Sequence, residues 1–430
     1  MKYDFDEIIN RRGTGCVKWD EMPTDDSPLS QEGNGRESAV IPMWVADMDF
    51  MTAPAIIEAL QKRVAHGVFG YTEVPESYYQ SIISWFHRRH GWNIERDWIQ
   101  YTSGVVPALS VIVKAFTEPG DEVIVQTPVY NCFFSSVRNN GCKIVSSMLS
   151  MSLCQSNIHN SDASSEANSG ANAGVKAGPT LSYSMDFEDL ERKASSPKAK
   201  MLILCNPHNP AGRVWTREEL ARVYNICKEH GVIVVSDEIH NELTYRGQRY
   251  VPYATVCNMD NAIICTSPSK SFNTAGLQIA NIICADPSWR RRIDRAININ
   301  EVCDVNPFGV VALQAAYNES EKWLDQLCEY IYQNYEALCE FFAQELPLFA
   351  VTKLEGTYLV WVDIRSTGLS SDALTQLLLD KGKVRVNSGT MYGAEAGEGF
   401  IRLNIACPRS QMMEALRRIK QVVASYNDTK

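Results

Sequence analysis

The segment Thr266-Ser-Pro-Ser-Lys-Ser-Phe-Asn273 sets one lysine inside a run of hydroxyls. It follows Ala262-Ile-Ile-Cys-Thr266, a short apolar run that reads as a buried strand. Lys270 is then either a solvated loop lysine or an amine nucleophile beside an anion, with Ser267 and Ser269 as donors to that anion. An amine becomes nucleophilic when burial or a neighbouring cation leaves it partly neutral. A second group closes the preceding strand in Val234-Val-Ser-Asp-Glu-Ile-His240. Asp237 could cap a helix there. Beside an amine nucleophile it could instead keep a pyridine nitrogen protonated, so that the ring draws electrons from a substrate carbon. A third piece, Asn206-Pro-His-Asn-Pro-Ala-Gly212, is either a rigid turn or a place where Asn209 donates to a phenolic oxygen on the same ring. The fourth is Tyr101-Thr-Ser-Gly-Val-Val-Pro-Ala108, a strand end, a small-residue turn and a helix with proline in its first turn. Backbone amides at such a helix start, near Gly104 and Val105, bind phosphate well.

These pieces need a frame that brings strand ends together. Glu122–Gln126, Lys200–Cys205, Val232–Val235 and Ala262–Thr266 are apolar without alternation, the pattern of parallel strands buried on both faces. Thr216-Arg-Glu-Glu219 is a capping box, Leu220, Val223 and Cys227 recur at helical spacing, and Gly231 is a left-handed stop. A β-α-β unit therefore runs from about Lys200 to Val235. The fold class is α/β, a mostly parallel sheet covered by helices. Ligands of such sheets bind beyond the carboxyl ends of the strands, where Asn209, Asp237 and Ser267–Lys270 fall. Ser320–Leu346 reads as a long helix, followed by strand-like Tyr358–Ile364 and Phe400–Ile405, a second and smaller α/β unit. Between Gln155 and Pro179, 17 of 25 residues are Ser, Asn, Ala or Gly, so this stretch is expected to be a disordered surface insertion.

The chain has 430 residues, a length for about two domains. Its net charge of −10 argues against nucleic-acid or anionic-membrane partners. Thirteen cysteines stand singly without a C-x-x-C pair, which suits a reducing compartment rather than a disulfide framework or a metal site. The N-terminus lacks an apolar signal core, and no run of about 18 apolar residues occurs. A soluble cytoplasmic protein is expected.

In order along the chain, these motifs resemble the fold-type I pyridoxal-phosphate (PLP) enzymes, the aminotransferase fold, and within them the MalY/PatB group of C–S lyases. The carriers are Pro42-Met-Trp-Val-Ala-Asp-Met-Asp-Phe50, Phe69-Gly-Tyr-Thr72, Pro119-Gly-Asp121 with Thr127-Pro-Val-Tyr130, and Cys205-Asn-Pro-His-Asn-Pro210. Ser236–His240, Ser267–Asn273, Glu355-Gly-Thr-Tyr358 and Phe400-Ile-Arg-Leu-Asn-Ile-Ala-Cys-Pro-Arg409 complete them. The resemblance implies a large PLP-binding domain over 49–300, with an insertion near 150–180, and a small domain over 301–430 joined by an N-terminal segment 1–48. It makes Lys270 the Schiff-base lysine and proton-transfer base, pairs Asp237 with the pyridine nitrogen, and gives the phenolic oxygen to Asn209. Tyr130 would stack on the ring, and Ser267, Ser269 and the amides of Gly104 and Val105 would hold the phosphate. Tyr71 would reach the phosphate of the neighbouring subunit in a homodimer, and Arg402 would grip the carboxylate of an amino-acid substrate. His240 stands where aminotransferases usually carry tyrosine and joins the cofactor contacts; Gln278 stands where they often carry arginine. Both suit the lyase branch. The implied reaction is β-elimination from a cystathionine- or cysteine-type amino acid to a thiol, pyruvate and ammonia. An aminotransferase using the same lysine is the alternative, and a regulatory binding protein on the same fold a third.

Overall fold

The computed structural model of the chain describes residues 2–21, 39–155, 178–299 and 304–428. Most of the Ser/Asn/Ala/Gly-rich stretch, 156–177, lies outside the described residues.

Seven strands form the larger sheet: β1 (Ile99–Thr102), β2 (Glu122–Val125), β3 (Lys143–Ser146), β4 (Ala199–Cys205), β5 (Ile233–Asp237), β6 (Ala262–Thr266) and β7 (Ala280–Ile283). Their order is β1-β7-β6-β5-β4-β2-β3, and all run one way except β7, which is antiparallel to both neighbours. The continuous apolar runs are explained by burial on both faces. Along β4, Met201, Ile203 and Cys205 pack in one cluster with helix Val105–Phe116, while Leu202 and Leu204 pack in the other with helix Arg217–Glu229. The capping box holds: Thr216 accepts from the Glu219 amide and Glu219 accepts from the Thr216 amide. Gly231 has the left-handed φ of +67° expected of a residue beyond a helix end.

The smaller sheet has six strands, in the order Asn387–Ser388, Phe400–Asn404, Leu359–Asp363, Ala350–Thr352, Pro179–Ser184 and Ser150–Gln155. Helix Glu321–Glu345 precedes the C-terminal strands in the chain, Ser371–Gly382 lies between them and Arg409–Asn427 follows them. Its last two strands form an antiparallel hairpin from the middle of the chain, flanking 156–177. The hairpin alternates as a one-sided antiparallel strand should: Leu181 and Tyr183 are buried, while Thr180 and Ser182 are half-buried and Ser184 exposed. At the other end, Ile41–Pro42 pairs in parallel with Val384–Arg385, bringing the N-terminal segment to the smaller sheet. Among the described residues no helix is long and apolar enough to cross a membrane.

Candidate active site

Six of the seven strands of the larger sheet end at one edge, and the loops leaving that edge carry most of the residues singled out above. Asp237 is the last residue of β5, in register with Cys205 on β4 and Cys265 on β6. These neighbours are buried and apolar in character, so the carboxyl has little solvation. Burial pushes it up to about 7, against the Ile239 amide, which donates to Oδ1 at 3.1 Å, and the Lys270 charge. Lys270 lies in the loop after β6. The residue as a whole is half-buried, but its amine is enclosed and donates to the carbonyl of Ala46 at 2.6 Å. Burial lowers this amine to about 8; Asp47 and Asp237 act against that and Arg402 adds to it. The amine is thus partly neutral at physiological pH, as a nucleophile and proton acceptor must be.

The remaining groups divide by side. Asn209, buried in the turn after β4, donates its amide to Cys205 Sγ (3.4 Å) and accepts from Arg402 Nη1 at 3.3 Å. Its Nδ2 remains as a donor for a ligand oxygen. Tyr130 is half-buried in the turn after β2; burial raises its phenol, and Arg402 and Asp237 lie within electrostatic reach of it. Gly104 leads extended into helix Val105–Phe116, whose first-turn amides have no acceptor inside the helix. A Cβ at Gly104 would come within 3.3 Å of Pro107 Cδ, a tight contact that the proline would have to relieve by a small shift. Ser267 Oγ donates to the carbonyl of Ile279 at 2.7 Å and sits 3.0 Å from Ser269 Oγ, so it shapes the loop as well as lining it. His240 is buried and neutral: burial pushes its imidazole well down, and Lys270 and Arg402 push the same way. Its Nδ1 has no partner, and its ring meets Tyr358 edge-on at 6.0 Å. Gln278 is exposed, with a left-handed φ of +51°.

Arg402 enters from the smaller sheet, in the middle of strand Phe400–Asn404. It is buried, lies 4.8 Å from the centre of the Tyr392 ring and donates from Nη2 to the Trp44 carbonyl at 2.8 Å. Its Nε is buried without a partner. A buried guanidinium left with an unused donor is suited to an anionic group, above all a carboxylate. Tyr71 does not join these residues. It is 98 % exposed, in a stretch where Val64, Val68 and Phe69 are exposed too.

Sequence reasoning gave no role to a strap over the site, Trp44–Asp49, although it quoted the motif that contains it. The strap's carbonyls are held from both sheets. Asn387 and Arg402 hold that of Trp44, Asn404 holds those of Val45 and Asp47, and Asn273 holds that of Met48. Tyr358 donates to Ala46 at 2.9 Å, beside Lys270. Behind the strap, fully buried Lys18 pairs with Asp49 at 2.8 Å, and Arg11 bridges Asp47 and Asp49 at 2.6 Å each. The Lys18 and Arg11 charges hold the Asp49 carboxyl down against its burial. Removing one member of such a buried pair costs about 3–5 kcal/mol.

The residues fit pyridoxal phosphate. A buried carboxylate suits a ring nitrogen, an enclosed half-neutral amine suits an aldehyde, and hydroxyls with open helix-start amides suit a phosphate. Comparison with known proteins agrees. The sequence profile of the aminotransferase class I and II family matches residues 38–419. The chain is 41 % identical to cystathionine beta-lyase PatB of Bacillus subtilis over 427 residues, covering 98 % of this chain and 100 % of that one. It is 31 % identical to protein MalY of Escherichia coli over 412 residues, 95 % of this chain and 96 % of that one. Among solved structures it superposes on cystalysin from Treponema denticola, which contains a pyridoxal 5'-phosphate cofactor. The TM-score is 0.87 at 33 % identity, over 100 % of both chains.

Proposed function

Because the chain belongs to the aminotransferase class I and II family, and to its MalY/PatB-like group, we propose that it is a PLP-dependent carbon–sulfur β-lyase. Its substrate is an amino acid with sulfur on the β-carbon, of the cystathionine or cysteine type. With one water consumed, the products are a thiol, pyruvate and ammonia. The observation that carries this reading is the convergence of Lys270, Asp237 and Arg402 on one enclosed site. Likeness to lyases along almost the whole chain selects elimination over transamination.

Bound PLP supplies an electron sink for the carbanion that forms when the substrate's α-proton leaves. Each residue then has a task its surroundings support. Lys270 would link to the cofactor and, when its amine is free, would take the substrate's α-proton; an amine near pKa 8 is suited to both. Asp237 would pair with the ring nitrogen and keep it protonated. Burial makes its carboxylate costly without such a partner, which favours that pairing. Asn209 would donate to the phenolic oxygen and Tyr130 would lie against the ring. Gly104, Val105, Ser267 and Ser269 would hold the phosphate, Ser267 also shaping the loop it shares with Ser269. Arg402 grips the substrate carboxylate through its unused Nε, steadied by Asn209 and Trp44. Neutral His240 lines the ring's pocket without adding a charge near Asp237.

The proposal extends to assembly and place. A homodimer gives exposed Tyr71 a partner phosphate to reach and covers Val64, Val68 and Phe69. The strand pairing of Ile41–Pro42 with Val384–Arg385 supports assigning 1–48 to the small domain, with 49–300 and 301–430 as the two bodies. A cytoplasmic location suits the free cysteines, among them buried Cys205, Cys227, Cys257, Cys265 and Cys407. To test the core of the reading, apoprotein and its Lys270→Ala variant are mixed with PLP alone, and cystathionine is added afterwards. Before the substrate is added wild type should gain the visible absorbance band of a lysine-bound cofactor, after it wild type should release pyruvate, and the variant should do neither. A wild-type protein that never gains the band contradicts the assignment.

A further inference from the structure

The strap gives Lys270 its acceptor, and Asn404 holds the carbonyls on both sides of that acceptor, sharing the Asp47 carbonyl with Lys18 (3.1 Å). Asn404 is buried at the end of strand Phe400–Asn404. Its Oδ1 accepts the Ala406 amide at 2.8 Å, which fixes which way the side-chain amide faces. Both Nδ2 hydrogens are then spent on the strap, donating to the carbonyls of Val45 and Asp47 at 2.6 Å each. With the carbonyls on either side of it turned to Asn404, the carbonyl of Ala46 meets Lys270 Nζ at 2.6 Å and Tyr358 OH at 2.9 Å. A carbonyl has two lone pairs, so it can serve both donors at once.

We propose, on the reading that the chain carries PLP, that Asn404 is a positioning residue for Lys270: by holding Val45 and Asp47 it presents the Ala46 carbonyl as the acceptor that steadies the lysine amine whenever that amine is not bonded to the cofactor. Turnover frees this amine each time a substrate amine displaces it, and it must then wait within reach of the substrate's α-proton. A flexible four-carbon side chain would otherwise sample many rotamers. The charged and titratable groups facing the amine are Asp47 from the strap, Asp237 from β5, Arg402 from the smaller sheet and Cys132 from the helix after β2, with neutral His240 nearby. Asp47 and Asp237 favour the ammonium form and Arg402 opposes it. Asn404 therefore supports the ammonium through the Ala46 oxygen, while Arg11 holds the Asp47 carboxylate at 2.6 Å.

The test measures the second-order rate at which apoprotein captures free PLP, by stopped-flow absorbance, as a function of pH. Only the neutral amine attacks the aldehyde, so the rate rises with pH through the amine's pKa, with a midpoint near 8 in wild type. Asn404→Leu keeps the volume and removes both donors. The ammonium loses support, so the midpoint should fall by about half a pH unit or more. In holoenzyme kcat should fall about tenfold while KM changes much less, because substrate contacts remain. Tyr358→Phe removes the competing donor from Ala46 and leaves the backbone in place, so its midpoint should rise. Opposite shifts are not what general loosening of the site produces. A wild-type midpoint in Asn404→Leu, or shifts of the same sign in both variants, overturns the proposal. If Asn404→Leu does not fold, Tyr358→Phe decides, and a fall or no shift there overturns it. A wild-type apoprotein that captures no PLP at any pH defeats the underlying assignment of cofactor instead, a result distinct from the others.

Discussion

The two sheets furnish the site in different ways. The larger one contributes chain ends: Asp237 closes β5, and Asn209, Tyr130, Gly104 and Lys270 sit in the turns after β4, β2, β1 and β6. Parallel packing gathers these positions at one edge whatever their side chains are. The smaller sheet contributes side chains from within and at the end of one strand, Arg402 and Asn404, which act largely through the backbone of a strap that neither sheet contains. On the proposed reading, the first arrangement would set which cofactor atoms can be met, and the second where the substrate carboxylate and the free amine can lie. Chemistry is thus built by topology on one side and by hydrogen bonds to carbonyls on the other, and the two should fail differently when damaged.

Damage on the first side should be the more severe. Asp237→Asn keeps the shape and removes the charge, and kcat should fall by about 10²–10³-fold, as for loss of one preorganised electrostatic contact at a reacting centre. The same change should stabilise the apoprotein. A carboxyl raised from 3.8 to about 7 on folding contributes stability that is complete below pH 4 and is lost as pH rises through 7. At pH 8 the amide variant avoids that loss, so its apo Tm should lie about 1–3 °C above wild type. A lower Tm at pH 8 would show that the buried carboxylate is better paired than its surroundings suggest. Damage on the second side should fall on binding. Arg402→Lys keeps the charge but loses the planar fork that serves Asn209, Trp44 and a carboxylate together, so KM should rise about 10–100-fold with a smaller change in kcat. Equal losses in the two constants would move Arg402 to the same footing as Asp237. The smallest effect belongs to Tyr71, outside both sheets. Homodimers of Lys270→Ala and of Tyr71→Asp should each be impaired. Mixed by subunit exchange, they should recover about one quarter of wild-type activity, since half the dimers are mixed and each mixed dimer has one intact site. No recovery after exchange confirmed by mass would place Tyr71 in the site of its own chain.

The same contrast explains what the sequence disclosed. Continuous apolar runs announced β2, β4, β5 and β6 within two residues, and their ends announced Asp237 and Lys270, because in a parallel sheet position in the chain fixes position in space. The hairpin Ser150–Gln155 and Pro179–Ser184 escaped notice although Leu181 and Tyr183 alternate with polar residues, since compositional bias in the stretch between them masked the signal. Helices Pro54–His66 and Glu76–His90 were likewise not anticipated, despite proline at the start of the first and left-handed Gly67 and Gly91 closing the two. The strap was the hardest feature to read. Ala46 acts through a carbonyl every residue possesses, and Asn404 was visible only as one letter of the Phe400–Arg409 motif. Backbone acceptors leave no mark in residue type, so the partners that hold them must be found in space.

The measurement that tests the account most directly is a product assay on purified holoenzyme with cystathionine, run with and without a keto acid. Elimination consumes one water and needs no second substrate. Pyruvate, ammonia and free thiol should therefore appear in equal amounts, at a rate the keto acid does not raise. Turnover that begins only when a keto acid is added, with the amino group recovered on it and no thiol released, would contradict the β-lyase assignment and leave the same residues serving a transaminase.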